Sequence, residues 1–480
     1  MATLRSFWML ALMVLLMLPA AARANPEVAG SWSGIVVGSG ARIGVVIRLS
    51  VLDGVWGGSF DQPEQGFRGI PLENITVSTD GGETRVRFNL RGIPGPPTYE
   101  LRLVGGKLVG TARQGTFSGT VELQRGEDHF RPRRPQDPTP PLPYTEVLVT
   151  FPSVEGVELA GTLTLPEGAT ADSPRPAVVL ISGSGPQDRD HTLAGHRPFL
   201  VLADQLARAG LVVLRYDDRG VGLSTGNFAA ATTLDFSQDA AAAVRYLLDR
   251  PEVRRDAVGL IGHSEGGNVA VLAASRTNLP VAFLVLLASP GVSGREVLVD
   301  QMAALQKSLG APSERVQAIS EAQKAVFDAV LAGNRPLAVE RIVELLRLQQ
   351  GLATLTEQGR QMLRQRAEAE ANNIFTPWFT VFLRYSPQED LRRVRVPVLA
   401  MTGSLDVQVD ADRNLRAIDS ALAAGGNPDR TTVKLNGLNH LFQQARTGSV
   451  AEYGELDETF NEEAIERILR WLKDRLPVGG

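Results

Sequence analysis

In this 480-residue chain, chemistry is first legible at a serine set between two glycines, Gly262-His263-Ser264-Glu265-Gly266. A serine hydroxyl becomes a nucleophile when a tight turn presents it and a neighbouring base takes its proton. The flanking glycines let the backbone bend and keep side chains clear of the hydroxyl. The bare G-x-S-x-G pattern is weak evidence in a chain with 48 glycines, and it recurs at Gly222-Leu223-Ser224-Thr225-Gly226. Context separates the two. Val258 to Ile261 reads as a buried strand and Asn268 to Arg276 as a helix, so Ser264 lies at a strand, turn and helix junction. Ser224 follows Tyr216-Asp217-Asp218-Arg219-Gly220 and precedes a polar stretch with no helix until about Asp235, so a loop role is expected for it.

Near neutral pH the base for such a serine is usually histidine, and the chain has five. His129 lies in the stretch expected to link two domains. His191 and His196 lie in a loop after an apolar run, and the turn at Ser264 is expected to carry the His263 side chain away. His440 alone follows the serine with room between them for an acid, in the order Ser, Asp/Glu, His. It sits in Leu438-Asn439-His440-Leu441-Phe442, after the short apolar run Thr432 to Leu435. The acid must hold the imidazole tautomer and balance its charge. Asp406 meets that condition, because it follows the apolar run Val396 to Met401 and the turn Thr402-Gly403-Ser404. Asp410 and Asp412 are rivals, but a helix starting about Arg413 makes helix capping their expected role.

Acyl transfer also needs donors aimed at the developing oxyanion. The Glu265 N–H is one candidate, and the second is expected from the loop Ile181 to Asp190, at the Ser184 N–H with that of Gly185 as runner-up. A phosphate-binding loop is excluded there because the Walker lysine is missing. The Glu265 side chain either steers cationic substrates or is solvated or salt-bridged. Trp378, Phe379 and Phe382 form an aromatic cluster that either lines an acyl pocket or seats a cap on the core.

The elements that must position these groups fall into two textures. From Gly30 to Arg125 the residues alternate as in half-buried strands: Ile43, Val45, Ile47, Leu49 and Val51, then Val86, Phe88 and Leu90, then Tyr99, Leu101 and Leu103. Gly81-Gly82 and Gly105-Gly106 suit hairpins between them. Residues 26–125 are therefore expected to form a small antiparallel β barrel or sandwich, with a scaffold or substrate-gating role. Residues 126–143, rich in proline, read as a semi-rigid linker.

From Tyr144 to the end the texture is that of an α/β fold, a mostly parallel sheet flanked by helices. Its candidate strands are Ala177 to Ile181, Val212 to Tyr216, Val258 to Ile261, Ala282 to Leu287 and Val396 to Met401. About 293–394 the pattern is helical, with breaks at Leu331 to Asn334 and Leu348 to Ala353, as expected of a helical cap inserted between two strands.

Composition narrows the function. Apolar residues make up 43% of the chain and charged residues 21%, enough to bury a large core. There is no cysteine, so disulfides, thiolate metal sites and a cysteine nucleophile are excluded. No metal or cofactor is expected. The net charge is −4 with scattered basic residues, which argues against a nucleic-acid partner. Residues 1–24 read as a signal peptide, with Arg5, an apolar run from Phe7 to Leu18, and a cleavage site at Ala22-Arg23-Ala24. That run is too short to span a bilayer. Export to the periplasm or the medium is expected, with no membrane span after cleavage.

Several segments together resemble bacterial α/β-hydrolase esterases of the EstD-like type, distantly related to the S9 peptidases. They are Ser-Gly-Ser-Gly-Pro-Gln-Asp-Arg-Asp from Ser182, Arg-Tyr-Asp-Asp-Arg-Gly-Val-Gly-Leu-Ser from Arg215, Gly-His-Ser-Glu-Gly-Gly from Gly262, Gly-Ser-Leu-Asp-Val-Gln-Val from Gly403 and Asn-His-Leu-Phe-Gln from Asn439. The resemblance covers about Tyr144 to Leu476, and some such proteins also carry an amino-terminal β domain. It implies an α/β-hydrolase fold, a triad of Ser264, Asp406 and His440, and carboxylesterase activity on short acyl chains. Asp410 stands where such proteins commonly have proline. The same scaffold also suits an exopeptidase or acylaminoacyl-peptidase, a lactam or thioester hydrolase, or a catalytically dead binding protein.

Overall fold

The computed structural model describes residues 27–476 apart from 39–40, 53, 63–66, 92–94, 116, 127–133, 309, 353 and 355. The expected signal peptide, its cleavage site and His129 lie outside the described residues. The chain divides into two compact units, Met1–Arg131 and Pro132–Gly480.

The first unit is a closed barrel of eight consecutive antiparallel strands: β1 (Gly30–Gly38), β2 (Ala41–Leu52), β3 (Val55–Gln62), β4 (Phe67–Asp80), β5 (Glu83–Leu90), β6 (Thr98–Val104), β7 (Lys107–Gln114) and β8 (Phe117–Arg125), with β8 returning to β1. Of the two expected architectures, barrel and sandwich, it is the barrel. Closure leaves no strand edge unpaired. Alternate residues point inward, so Trp32, Ile47, Phe60, Phe88, Leu101, Leu108 and Leu123 fill the interior. The Trp32 indole N–H donates to the Val28 carbonyl at 2.8 Å. The β4–β5 and β6–β7 hairpins turn at Gly81-Gly82 and Gly105-Gly106, all with positive φ.

The second unit begins ahead of the expected boundary at Tyr144. Within it Arg134 donates to the carbonyls of Ala194, Gly195 and Leu456, and Gln136 accepts the Thr459 and Phe460 N–H groups. The latter part of the proline-rich stretch is thus bound to the α/β unit.

That unit is built on an eight-stranded sheet in the order β16-β15-β14-β13-β11-β12-β10-β9. Its strands are β9 (Tyr144–Pro152), β10 (Glu158–Pro166), β11 (Arg175–Ile181), β12 (Val212–Tyr216), β13 (Val253–His263), β14 (Leu284–Leu287), β15 (Val398–Gly403) and β16 (Arg430–Leu435). The six from β11 onward run parallel, while β9 and β10 form an antiparallel pair at one edge. Sequence reading located the parallel strands and missed β9 and β10. The outer strand β9 is exposed along most of its length and lacks the continuous apolar run of a buried strand.

Helices cover both faces. Alternation sends Ala177, Val179 and Ile181 of β11 toward α2 (Thr233–Leu248), α3 (Glu265–Arg276) and α10 (Ala411–Ala424). Val178 and Leu180 face α1 (Pro198–Arg208) and α11 (Glu462–Lys473). Between β14 and β15 the chain leaves the sheet for a cap of α4 (Gly294–Ser308), α5 (Ser313–Leu331), α6 (Arg335–Gln349), α7 (Glu357–Ile374), α8 (Pro377–Arg384) and the short α9 (Gln388–Leu391). Both expected breaks are present, between α5 and α6 and between α6 and α7. The cap has a core of its own, with Phe327, Ile342, Leu346, Leu363 and Leu383. Among the described residues no helix is long and apolar enough to cross a membrane.

Candidate active site

Ser264 occupies the single residue between β13 and α3, at φ 55° and ψ −124°. Non-glycine residues rarely adopt this conformation, and such strain clusters at functional sites. Close packing imposes it here. A Cβ at Gly262 would lie 2.2 Å from the Gly266 carbonyl oxygen, and one at Gly266 would lie 2.3 Å from the Ile181 oxygen. Only glycine allows the first turn of α3 to press against the ends of β13 and β11. The elbow is pinned by the Ser264 N–H to the Leu287 carbonyl at 2.8 Å. Ser264 is half-buried, and its hydroxyl makes no hydrogen bond among the described residues. The other G-x-S-x-G serine has a loop role. Ser224 donates to the Asp217 carbonyl at 2.7 Å and accepts the Ala160 N–H at 2.9 Å.

His440 and Asp406 come together from the loops after β16 and β15. The His440 Nδ1–H donates to Asp406 Oδ2 at 2.8 Å, with both side chains buried. Asp406 Oδ1 accepts the Gln408 and Val409 N–H groups, each at 2.8 Å, so the carboxylate is oriented from both sides. This arrangement puts the imidazole proton on Nδ1 and leaves Nε2 as a base. The loop is held by Asn439, which is fully buried and accepts the Leu441 and Gln443 N–H groups. The rival acids are otherwise engaged. Asp410 caps α10 through the Arg413 N–H at 2.8 Å, and exposed Asp412 pairs with Lys434 at 2.9 Å.

The expectation that His263 turns away is corrected. Its Nε2–H donates to the His440 carbonyl at 2.8 Å, and the two rings lie 4.7 Å apart. The physical reason is the two-residue period of β13, which carries His263 to the same face as Ile261, where Leu438 and Phe442 pack. His191 stacks on Phe199 and meets the edge of His263. Burial first, and the neighbouring His440 second, depress its basicity to about 4. His196 bridges the Tyr453 carbonyl and the Thr459 hydroxyl.

Around the candidate oxyanion loop, the Arg-Tyr-Asp-Asp motif at the end of β12 acts as a brace, a role that sequence reading did not assign. Asp217 accepts the Arg189 N–H at 2.9 Å and pairs with its guanidinium at 2.6 Å. Asp218 accepts the Gln187 N–H at 2.9 Å and the Ser182 hydroxyl at 3.1 Å. Arg215 pairs with Asp190 on the same loop and with Glu146. Two adjacent acids at the carboxyl end of a parallel strand, where α/β folds place chemistry, were the available signal. The braced loop lies beside Ser264, since a Cβ at Gly183 would sit 3.1 Å from Ser264 Cβ. The Glu265 and Ser184 N–H groups donate to no partner among the described hydrogen bonds. The Gly185 N–H is likewise without one.

Both expected readings of the Glu265 side chain are also corrected, because it is 2% exposed and lies under the cap. It accepts hydrogen bonds from Ser184, Thr233 and Trp378. Burial raises its pKa, and these three donors partly offset the rise. Trp378 therefore meets the elbow. Phe382, 7% exposed, stacks on Trp378 at 5.2 Å, and Phe379 turns edge-on to Phe327 in the cap core. Among the described residues no group of three or more His, Asp or Glu side chains is placed to hold a metal ion. An apolar cleft lined by Pro176, Leu211, Leu469 and Leu476 lies at the amino ends of β11 and β12, away from Ser264.

Burial, with Asp239 and Glu265 nearby, pushes the Asp218 carboxyl up to about 8, against the opposing effect of the Gln187 and Ser182 donors. A carboxyl raised on folding contributes stability that is complete below its unfolded value near 4 and is lost as pH climbs through 8. Each unit in that window corresponds to about 1.4 kcal/mol at most. The melting temperature of the wild type should therefore fall more between pH 5 and pH 8.5 than that of Asp218→Asn, by at least about 3 °C. Parallel curves in a thermal-shift series would contradict this.

Comparison with known proteins shows the family to which the α/β unit belongs. Residues 174–443 match the family described as Serine aminopeptidase, S33. Esterase EstD of Thermotoga maritima is 34% identical over 166 residues, 35% of this chain, and the match spans only 38% of that protein's length. Similar solved structures include an esterase of Pyrococcus furiosus, with 15% identity, a TM-score of 0.41 and coverage of 69% of this chain and 92% of that one. An α/β hydrolase of Penicillium has 19% identity, a TM-score of 0.43 and coverage of 69% and 99%. With its matched segment running from just before β11 to just past His440, more than half of its length, this chain belongs to the S33 serine aminopeptidase family of α/β hydrolases.

Proposed function

We propose that the protein is an exported serine carboxylesterase that cleaves short-chain acyl esters through Ser264, His440 and Asp406. The observation that carries this reading is the buried Asp406–His440 hydrogen bond of 2.8 Å beside the strained elbow at Ser264. His440 Nε2 takes the Ser264 proton as the hydroxyl oxygen attacks the ester carbonyl carbon. Asp406 stabilises the resulting imidazolium. The Glu265 and Ser184 N–H groups receive the negative charge on the former carbonyl oxygen. Collapse of the tetrahedral species breaks the ester C–O bond, and the imidazolium protonates the departing alcohol. Water, deprotonated by His440, then attacks the acyl-enzyme and releases the acid and free Ser264.

The family's description favours a second reading, an aminopeptidase. Such an enzyme needs an anionic group to bind the substrate's ammonium. The acid next to the nucleophile does not offer one, because the Glu265 carboxylate is committed to three neutral donors. The identity to Esterase EstD, over 38% of that protein's length, supports ester turnover as the preferred activity.

A fluorophosphonate probe should label the wild type and not Ser264→Ala. p-Nitrophenyl acetate and butyrate should be hydrolysed faster than aminoacyl p-nitroanilides, and the reverse order would establish the aminopeptidase reading. The Asp406→Asn variant releases the tautomer constraint and should lower kcat by about 10⁴ at neutral pH. A fall of less than tenfold would move the orienting role elsewhere. The leader-like run Phe7 to Leu18 and the site at Ala24 support export. Protein recovered from the periplasm or medium should begin at Asn25, and a retained Met1 would contradict export with cleavage.

A further inference from the structure

Nothing in the triad chemistry requires the side chain of Glu265, yet three separate parts of the α/β unit converge on it. Oε2 accepts the Ser184 hydroxyl at 2.6 Å, from the loop after β11. Oε1 accepts the Thr233 hydroxyl at 2.6 Å, from the first turn of α2. The Trp378 indole N–H, from the first turn of α8 in the cap, donates to Oε1 at 2.9 Å and lies 3.2 Å from Oε2. No cation balances the carboxylate among these contacts. A buried anion held only by neutral donors is costly, and each donor lost leaves it further exposed to that cost. The carboxylate therefore holds its donors together as strongly as they hold it.

The two residues joined through Oε2 are the same two whose N–H groups are the candidate oxyanion donors. Ser184 and Glu265 are thus linked side chain to side chain, immediately beside the backbone groups that would meet the substrate oxygen. Trp378 makes a residue of the cap the third member of that link.

We propose that Glu265 is a positioning residue that latches the cap to the oxyanion loop, so that the two backbone donors take their working spacing only when Trp378 is seated on the carboxylate. This rests on the reading of Ser264 as the nucleophile. The latch makes cap seating a determinant of transition-state stabilisation and not only of substrate capture. An interaction that aligns oxyanion donors acts after binding, so its loss lowers kcat and leaves KM nearly unchanged. Seating the cap on the elbow also gives Trp378 the role that the aromatic cluster left open, while its stacking on Phe382 at 5.2 Å keeps the indole plane fixed.

Two mild variants test the latch without emptying the core. Trp378→Phe keeps an aromatic ring against Phe382 and deletes the indole N–H. Ser184→Ala deletes the hydroxyl and keeps the backbone N–H. Removing one oxyanion donor outright costs about 10² to 10³ in kcat, so misaligning the pair should cost about 5- to 20-fold. Each variant is expected to lower kcat for p-nitrophenyl butyrate by that factor, with KM within about twofold. The double variant should fall little further than either single one, because both act through one carboxylate. Multiplicative losses in the double variant, or losses confined to KM, would overturn the latch while leaving the esterase reading intact. Unchanged kcat in both single variants would do the same. A wild type that turns over no ester and takes no fluorophosphonate label would overturn both.

Discussion

The closeness of α3 to the ends of β13 and β11 is the constraint on which the site depends. Because a Cβ at Gly262 or Gly266 would collide with backbone at little more than 2 Å, the chain has no slack between strand and helix. Ser264 is therefore held at a positive φ and presented at the sheet's carboxyl edge, where the loops of its neighbours converge. The strain is local, and the core around it supports it. Apolar strands stand on both sides of β13, and α3 buries most of its length.

Acidic side chains do much of the remaining positioning, each in a different way. Asp406 is held by two backbone donors and holds an imidazole. Asp217 is neutralised by Arg189, and Asp218 and Glu265 are buried with neutral donors only among their hydrogen bonds. These last two are the ones whose pKa burial raises. The loop between them, from Ser182 to Asp190, is consequently fixed by groups whose protonation is sensitive to the surroundings. A loop bearing candidate oxyanion donors gains from such bracing, since preorganised dipoles need no rearrangement as charge develops.

Histidine placement shows how a strand's period reaches into a site. His263 follows Ile261 to the face where the His440 loop packs, and its hydrogen bond to the His440 carbonyl ties that loop to the elbow itself. Ser264 and His440 are thus connected through the His263 side chain. The cap adds a second connection, from Trp378 to Glu265, so that elbow, candidate oxyanion loop and cap share one buried carboxylate.

How much of this is legible in the residues follows from the range of the interactions involved. The alternation in β5 and β6, the glycine pairs of the hairpins, the buried runs of the parallel sheet and the helical breaks of the cap are local patterns, and reading them locates a β domain, an α/β unit and the insertion. The capping position of Asp410 is legible for the same reason, and the expected pairing of Asp406 with His440 is present at 2.8 Å. What tertiary structure alone decides is everything that depends on which solvent a side chain keeps. Glu265 reads as a substrate-steering, solvated or salt-bridged charge and is buried under Trp378; His263 reads as pointing away and faces His440; Asp218 has no role in the sequence reading and braces a loop 31 residues earlier. Local sequence sets backbone period and turn chemistry, but the partner of a buried polar group is whatever element packs over it, and that packing is a property of the whole fold.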